Sequence, residues 1–451
     1  MSERSQAGAV PGLPYRLLQR VVGVRPEEIR VVLLCWLYIF SVLSSYYIMR
    51  PIRDQMGVAG GVNNLQWLFT ASFAGMLVAN LLFARLVKNL PRSRFIPITY
   101  RFFAVNILLF AGTLYVLPPD QQVWLGRIFF VWISIYNLFV VSVFWQLNVD
   151  LFTTEQGKRL FGFIAAGATI GAIVGSGMTA SLARHVGPAL LLIGAAALLE
   201  VAVLCVGQLG RESPVLHHRV GQSSEPEEQP IGGSVVAGIT HAFRSPYLLN
   251  IGVFLLLYAI TSTFLYFQQA AIVSHSFSDR GAQTSFFATI DLSVNILTLV
   301  IQLAFTGRIV LWLGVALALA VVPAITIVGF GVLTLAPGLG AIAVFQVIRR
   351  AGDYALARPT REVLFTVVTR EDRYKAKGFI DTFVYRLGDQ IGAWGTALLQ
   401  ELGSSMASVV AIAIAALWLF NGLWLGRRQA RLEDERVRQE TAAAMPLTAQ
   451  N

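Results

Sequence analysis

Asp291, Asn295, Thr298 and Gln302 recur at intervals of four, three and four in an otherwise apolar stretch, which puts all four on one face of a helix. A face of this kind either makes a hydrogen-bonding seam with a neighbouring helix or lines a polar cavity. A seam seldom needs an aspartate, so the cavity is the better reading. Gln346, Arg350 and Asp353 make a similar stripe, with Arg349 beside it and Arg358 and Arg361 further along. A planar guanidinium suits phosphate or carboxylate better than a lysine point charge does. Asp381, Tyr385 and Asp389 stand four apart, with Arg386 and Gln390 adjacent, and buried pairs with the other two stripes are expected there. Gln146 and Asp150 share a face at the end of Phe144–Asp150, and Arg50, Arg53 and Asp54 follow the tyrosine pair Tyr46-Tyr47.

The bland alternatives matter as much. Arg361, Arg370, Arg373, Lys375 and Lys377 sit where basic residues set topology at a helix end, and Glu200, alone in its stretch, is expected to be paired between helices. Gly167, Gly171 and Gly175 give a smooth groove for helix packing. They are not a phosphate loop, because no Gly-Lys-Ser/Thr follows. The five histidines, His217-His218 included, have no metal-ligand companions, and no nucleophile–base motif is assembled, so neither an enzyme nor a cofactor is expected. Cys35 and Cys205 both lie in apolar runs, which argues against a disulfide framework.

The elements that must position these groups follow from composition. Of 451 residues, 55% are hydrophobic and 13% charged, against about 25% charged in soluble domains. Apolar runs long enough to cross a bilayer recur along the chain, and backbone groups in hydrocarbon must bond within each run, so each is read as a helix. Twelve spans are expected, near 30–49, 65–87, 95–117, 123–147, 160–183, 187–209, 246–272, 284–306, 310–335, 338–357, 376–400 and 404–426. The fold class is therefore an all-α polytopic membrane protein of two pseudo-symmetric six-helix bundles. An N-terminal segment (1–29) precedes the first bundle (30–209), and a linker (210–245) leads to the second bundle (246–426) and a tail (427–451). Leu151-Phe152-Thr153 returns as Leu364-Phe365-Thr366 and Gly162-Phe163-Ile164 as Gly378-Phe379-Ile380, each pair straddling a basic loop, which supports an internal repeat. The linker run Ser223–Pro230 cannot bury a core and reads as flexible, and Tyr15–Val24 could lie on the membrane surface as an amphipathic helix.

The net charge of +10 does not point to nucleic acid. Basic residues crowd alternate loops (Lys88, Arg92 and Arg94; Lys158 and Arg159; Arg211, Arg219 and Arg244; Arg308; the 361–377 run; Arg427, Arg428 and Arg431), which places both termini in the cytoplasm. A plasma (inner) membrane location follows, with the lipid bilayer and a small anionic molecule as partners, and the chain is taken as a monomer.

Several of these stretches resemble the ATP/ADP translocase family, the nucleotide transporters of plastids and obligate intracellular bacteria, and most of all its bacterial branch, grouped with the major facilitator superfamily. The resemblance rests on Arg50-Pro51-Ile52-Arg53-Asp54, on Phe144–Gly175 with Lys158-Arg159-Leu160-Phe161-Gly162, and on Arg349–Trp394 with Arg358-Pro359-Thr360-Arg361-Glu362-Val363-Leu364-Phe365-Thr366. It extends over nearly the whole chain after residue 25. It implies nucleotide exchange or uptake by alternating access, without hydrolysis. The family's basic residue after the first span matches Arg53, in the pair Arg53-Asp54, and its acidic residue after Phe-Trp matches Asp150. The family's lysine after Leu-Gly in the eleventh span falls on Asp389, a charge reversal at a position the resemblance assigns to phosphate. The 84–94 loop lacks the Gly-x-x-x-Asp-Arg signature of the wider superfamily.

The expected function is secondary transport of a nucleotide or a related phosphorylated or carboxylated metabolite, through a cavity lined by Arg53, Asp150, Asp291, Asn295, Arg349, Arg350, Asp381, Tyr385, Arg386 and Asp389. The alternatives are proton-coupled transport of another solute, with Asp291 or Asp389 carrying the proton, and a non-transporting membrane sensor or assembly factor.

Overall fold

The computed structural model describes residues 24–89, 92–118, 121–220, 245–304, 306–368, 376–401 and 406–444. The Tyr15–Val24 stretch (bar Val24), most of the linker, and Arg244, Arg370, Arg373 and Lys375 lie outside the described residues, as do the side chains of Lys88, Arg92, Arg94, Lys158, Arg219 and Arg308.

The described residues are helical with no strand. In chain order they form α1 (Ile29–Ala59), α2 (Leu65–Asn89), α3 (Arg92–Val116) and α4 (Gln122–Leu151). Thr154–Val220 is a continuous run broken at Gly187, which gives α5 (154–186) and α6 (188–220). Then follow α7 (Pro246–Ser276), α8 (Arg280–Ala304), α9 (Thr306–Leu335), α10 (starting Leu339–Gly352), α11 (ending Tyr385–Glu401) and α12 (Met406–Ala444). Gly187 and Gly314 hold φ of 66° and 69°. Only glycine adopts that conformation without Cβ strain, which is why a single residue can fold α5 back into α6. The break at Gly314 leaves 315–335 as the long arm of α9, where an unbroken 310–335 span was expected.

α1 departs most from expectation. The apolar pattern ends near residue 49, yet the helix continues to Ala59 through Pro51, so Arg50, Arg53 and Asp54 lie on a helix and not in a loop. Proline is tolerated inside membrane helices where neighbours satisfy the freed carbonyl, and both arginines find carboxylates. α10 and α11 contain π-helical turns, at Asp353–Ala357 and Ile380–Val384. Such turns often mark functional sites, and these two flank the charged stripes.

Nine helices among the described residues are long and apolar enough to cross a membrane, one of them running through the Gly187 break. α10 and α11 are not among them. They carry Arg349, Arg350, Asp353, Arg386 and Asp389, so their place in the bundle depends on protein neighbours more than on lipid.

Close packing organises each group of six. The glycine groove of α5 lies on α1: a Cβ at Gly171 would come within 2.4 Å of the Phe40 carbonyl oxygen, and one at Gly175 within 2.4 Å of that of Ser44. Ser44 Oγ donates to the Gly171 carbonyl at 3.0 Å. α11 repeats the device on α7, where a Cβ at Gly392 would lie 2.7 Å from Thr263 Cβ. At the face where α1 begins, Glu28 is 1% exposed. Its carboxylate accepts from Arg25 N, Gln156 Nε2 at 3.0 Å and Arg159 Nη2 at 2.8 Å. Burial raises its pKa, but the hydrogen bonds and the Arg159 charge outweigh burial and hold it below the ordinary value.

Two predictions follow. Gly171→Leu is expected to cost about 1–3 kcal/mol or more by overpacking and to lower the melting temperature in detergent, whereas Gly194→Ala, which meets nothing within 4 Å, is expected to be silent. A depressed carboxylate stabilises the fold above the ordinary glutamate pKa of about 4.3 and loses that contribution as pH falls through the lowered value. Glu28→Gln is therefore expected to melt below the wild type at pH 7, with the gap closing under acid, as a melting series across pH would show.

A candidate anion cavity between the two helix groups

The first six and last six helices meet away from the face where α1 begins. Ser285 Oγ donates to the Ala180 carbonyl at 2.7 Å, and Arg280 Nη1 to Gln122 Oε1 at 3.0 Å. Thr70 Oγ1 donates to Gln390 Oε1 at 2.9 Å and receives Trp394 Nε1 at 3.1 Å, while Trp67 packs on Trp394 with ring centroids 4.8 Å apart. Deeper in, Tyr266 OH of α7 donates to Asp54 Oδ1 of α1 at 3.1 Å.

Below these contacts is a cavity of two lobes sharing Ser262, Tyr266 and Tyr385. The cationic lobe is walled by Arg50, Arg350, Arg358, Asp291 and Tyr354. At its centre Asp291, midway along α8, is 3% exposed and faces two arginines. Arg350 Nη2 of α10 stands 2.7 Å from Asp291 Oδ1, and Arg50 Nη1 of α1 stands 3.5 Å from the same oxygen. The other oxygen, Oδ2, and Arg50 Nε have no hydrogen-bond partner among the described residues. A single carboxylate is thus shared by cations from both helix groups. Asp353 Oδ2 accepts from Arg358 Nε and from Tyr258 OH, each at 2.9 Å, and Arg358 lies over the Tyr354 ring.

The second lobe is aromatic, with Phe69, Phe73, Phe130 and Tyr266 alongside Ser72, Ser134 and Gln390. Arg53 reaches Asp54 at 2.6 Å and lies over the Phe130 ring, 5.0 Å from its centroid. Asp389, buried on α11, takes Arg386 Nη1 at 3.1 Å and Thr263 Oγ1 at 3.3 Å.

The structure brings together Arg50, Arg53, Asp54, Asp291, Arg350, Tyr385, Arg386 and Asp389, with Asp353 just behind Arg358. Other expected residues lie elsewhere. Arg349 is 1% exposed and is held by neutral oxygens of Tyr258, Thr261, Ser262 and Thr326, behind the cavity wall. Asn295 is buried and donates to the backbone carbonyl of Asp291 at 2.8 Å. Gln146 and Asp150 are exposed on α4 and line neither lobe. Asp381 pairs with Arg361 at 3.5 Å, because the π turn between Asp381 and Tyr385 rotates it off the Asp389 face. Glu200 meets Arg101 of α3 at 3.8 Å, the interhelical partner that was expected.

Sequence reasoning passed over the α7 wall. Tyr258, Ser262, Tyr266 and Gln269 are spaced four, four and three, as clear a stripe as that of α8. Tyrosine and serine carry no hydropathy penalty large enough to draw attention, and Arg358 stands past the end of the Gln346–Asp353 stripe.

Fold and site define the class: a polytopic helical membrane protein with a major facilitator-like fold. Its fold matches a bacterial homologue of the iron transporter ferroportin in an inward-facing state, with TM-score 0.61, 12% identity, and coverage of 89% of this chain and 100% of that one. It also matches the nucleoside transporter NupG, with TM-score 0.55, 12% identity and coverage of 90% and 99%. No protein-family model matches the sequence. In sequence the chain is similar to ADP,ATP carrier protein 1 of Chlamydia pneumoniae, 21% identical over 93% of this chain and 96% of that protein. It is likewise similar to the plastidic ATP/ADP-transporter of Solanum tuberosum, 20% identical over 99% and 81%. The similarity to these carriers extends along nearly the full chain.

Removing the shared carboxylate tests the electrostatics. Asp291→Asn leaves Arg50 and Arg350 facing each other unopposed, and losing one partner of a buried pair costs about 3–5 kcal/mol. A large fall in melting temperature is expected, and adding Arg350→Gln, which removes one of the two stranded cations, is expected to restore part of it.

Proposed function

We propose that the protein is a secondary transporter that exchanges a nucleotide, or a related phosphorylated anion, across the plasma (inner) membrane, with both termini cytoplasmic. Its two helix groups, 30–209 and 246–426, rock about the cavity, and the substrate crosses chemically unchanged. The observation that carries this reading is Asp291 shared between Arg50 of one group and Arg350 of the other. One carboxylate cannot satisfy two guanidinium groups, so an arriving anion finds cationic hydrogen-bond donors already aimed at it. Binding there competes with the link between the groups, which ties occupancy to their relative position. The aromatic lobe beside it supplies ring faces for a flat base, with serine and glutamine side chains at its edge. The names of the sequence relatives support nucleotide cargo, and the join on one side supports a state that opens toward the other.

The test is stabilisation of the purified protein against nucleotides, sugar phosphates and dicarboxylates, followed by counterflow in liposomes. A ligand present at a hundred times its Kd raises stability by about 2.7 kcal/mol. Arg50→Ala and Arg350→Ala each leave Asp291 one cation, so both variants are expected to fold yet to bind at least about tenfold more weakly, roughly 1.4 kcal/mol. Uptake that depends on preloaded internal nucleotide supports exchange. If a non-phosphorylated solute alone stabilises the protein, the nucleotide reading is wrong.

A further inference from the structure

Building on that reading, we infer that the cavity is charge-matched to a dianion, one phosphoryl group's worth, and so prefers a nucleoside monophosphate over a di- or triphosphate. Three arginines around the cavity are already neutralised in place: Arg53 by Asp54 at 2.6 Å, Arg358 by Asp353 at 2.9 Å and Arg386 by Asp389 at 3.1 Å. The neighbouring Arg361 is neutralised by Asp381 at 3.5 Å. Two cations have no carboxylate of their own. One of the pair Arg50 and Arg350 is left over, because both share Asp291. The other is Arg349, whose hydrogen bonds go to hydroxyl and carbonyl oxygens only.

The empty cavity therefore faces two uncancelled positive charges, one in its wall from the Arg50–Arg350 pair and one, Arg349, buried just behind the wall. In a partly desolvated site an uncancelled charge of either sign is costly. A phosphate monoester, carrying about −1.5 to −2 at neutral pH, brings the sum close to zero. Each added phosphoryl group carries the sum further negative, against aspartates that stay in place. Asp389 contributes most to this limit. It is buried in the lobe next to the cationic one and holds Arg386 in a private pair. Replacing it with lysine would raise the cavity's charge by two and set Arg386 free.

The experiment titrates adenosine, AMP, ADP and ATP against the purified full-length protein in detergent, with EDTA and low salt so that neither metal nor screening masks charge. Wild-type protein is expected to reach half-maximal stabilisation with AMP at a concentration at least about tenfold below that needed for ATP. Asp389→Lys is expected to reverse the order toward ATP. Asp389→Asn, a nearly isosteric change that tests the same point should the lysine variant not fold, is expected to narrow the gap. If ADP or ATP binds wild-type protein as tightly as AMP, or adenosine matches AMP, the charge-matching inference falls while nucleotide transport stands. If none of the four binds, both fall. An order unchanged in Asp389→Asn also overturns the role given to Asp389.

Discussion

Everything around the cavity depends on holding one carboxylate in the depth of a helical bundle. Removing a charge from water costs several kcal/mol per ion even after relaxation, and a bilayer supplies nothing to offset it. Asp291 can sit near the middle of α8 only because Arg350 and Arg50 reach it from α10 and α1. The dependence also runs the other way. Arg50 lies on a helical stretch beyond the apolar run of α1, and α10 carries Arg349, Arg350 and Asp353. Their placement relies on this ion cluster and on the hydroxyl and ring groups of α7 that close around it.

A cluster shared between two bodies is useful only if each body is firm. Firmness comes from a different interaction, the near-contact of helix backbones along Gly167, Gly171 and Gly175 against α1, and along Gly388 and Gly392 against α7. Membrane helices gain little from the hydrophobic effect and associate through such close van der Waals approach. These seams lie within each group of six. Between the groups the joins are mixed: a close backbone approach of Gly281 to Ala183, an apolar cluster that includes Phe130, Phe267 and Phe287, hydroxyl–amide bonds, a pair of tryptophans and the Asp291 cluster. The polar contacts among these exchange partners at lower cost than interdigitated backbones do, and the Asp291 cluster is the one of them that lies in the cationic lobe.

Much of this was legible in the sequence, and what was not has a physical reason. The positions of the helices followed from hydropathy, because the bilayer imposes length and internal hydrogen bonding. The stripes of α8, α10 and α11 followed from helical periodicity. The end of α1 was missed because Arg50 and Arg53 break the apolar pattern, and only tertiary partners make a helix through them affordable. Asp381 and Asp389 were placed on one face because a spacing of four assumes an α-helix, and the π turn at Ile380–Val384 breaks that rule. Pairings such as Arg361 with Asp381, or Arg349 with four neutral oxygens, depend on which helices meet, and periodicity along one helix carries no record of that.

Arg349 shows why a census of residue types is not enough. It sits next in sequence to Arg350, and the two look equivalent, yet one turns into a wall of hydroxyl and carbonyl oxygens and the other into the cavity. A guanidinium without its own carboxylate, buried behind the wall, still adds its field to the space in front, because low dielectric screens it poorly. Arg349 thus acts as a fixed positive background, whereas Arg50 and Arg350 are the groups whose partners can change. In the proposed cycle, a fixed background favours an anion in every position of the helix groups and so supports affinity without direction. In the proposed transport cycle the contested carboxylate does the opposite, since its two claimants come from the two helix groups, Arg50 from one and Arg350 from the other. An anion that relieves one arginine of Asp291 leaves the other better paired, so occupancy and geometry shift together. On the proposed function, affinity and coupling thereby fall to different arginines, the first to Arg349 and the second to Arg50 and Arg350.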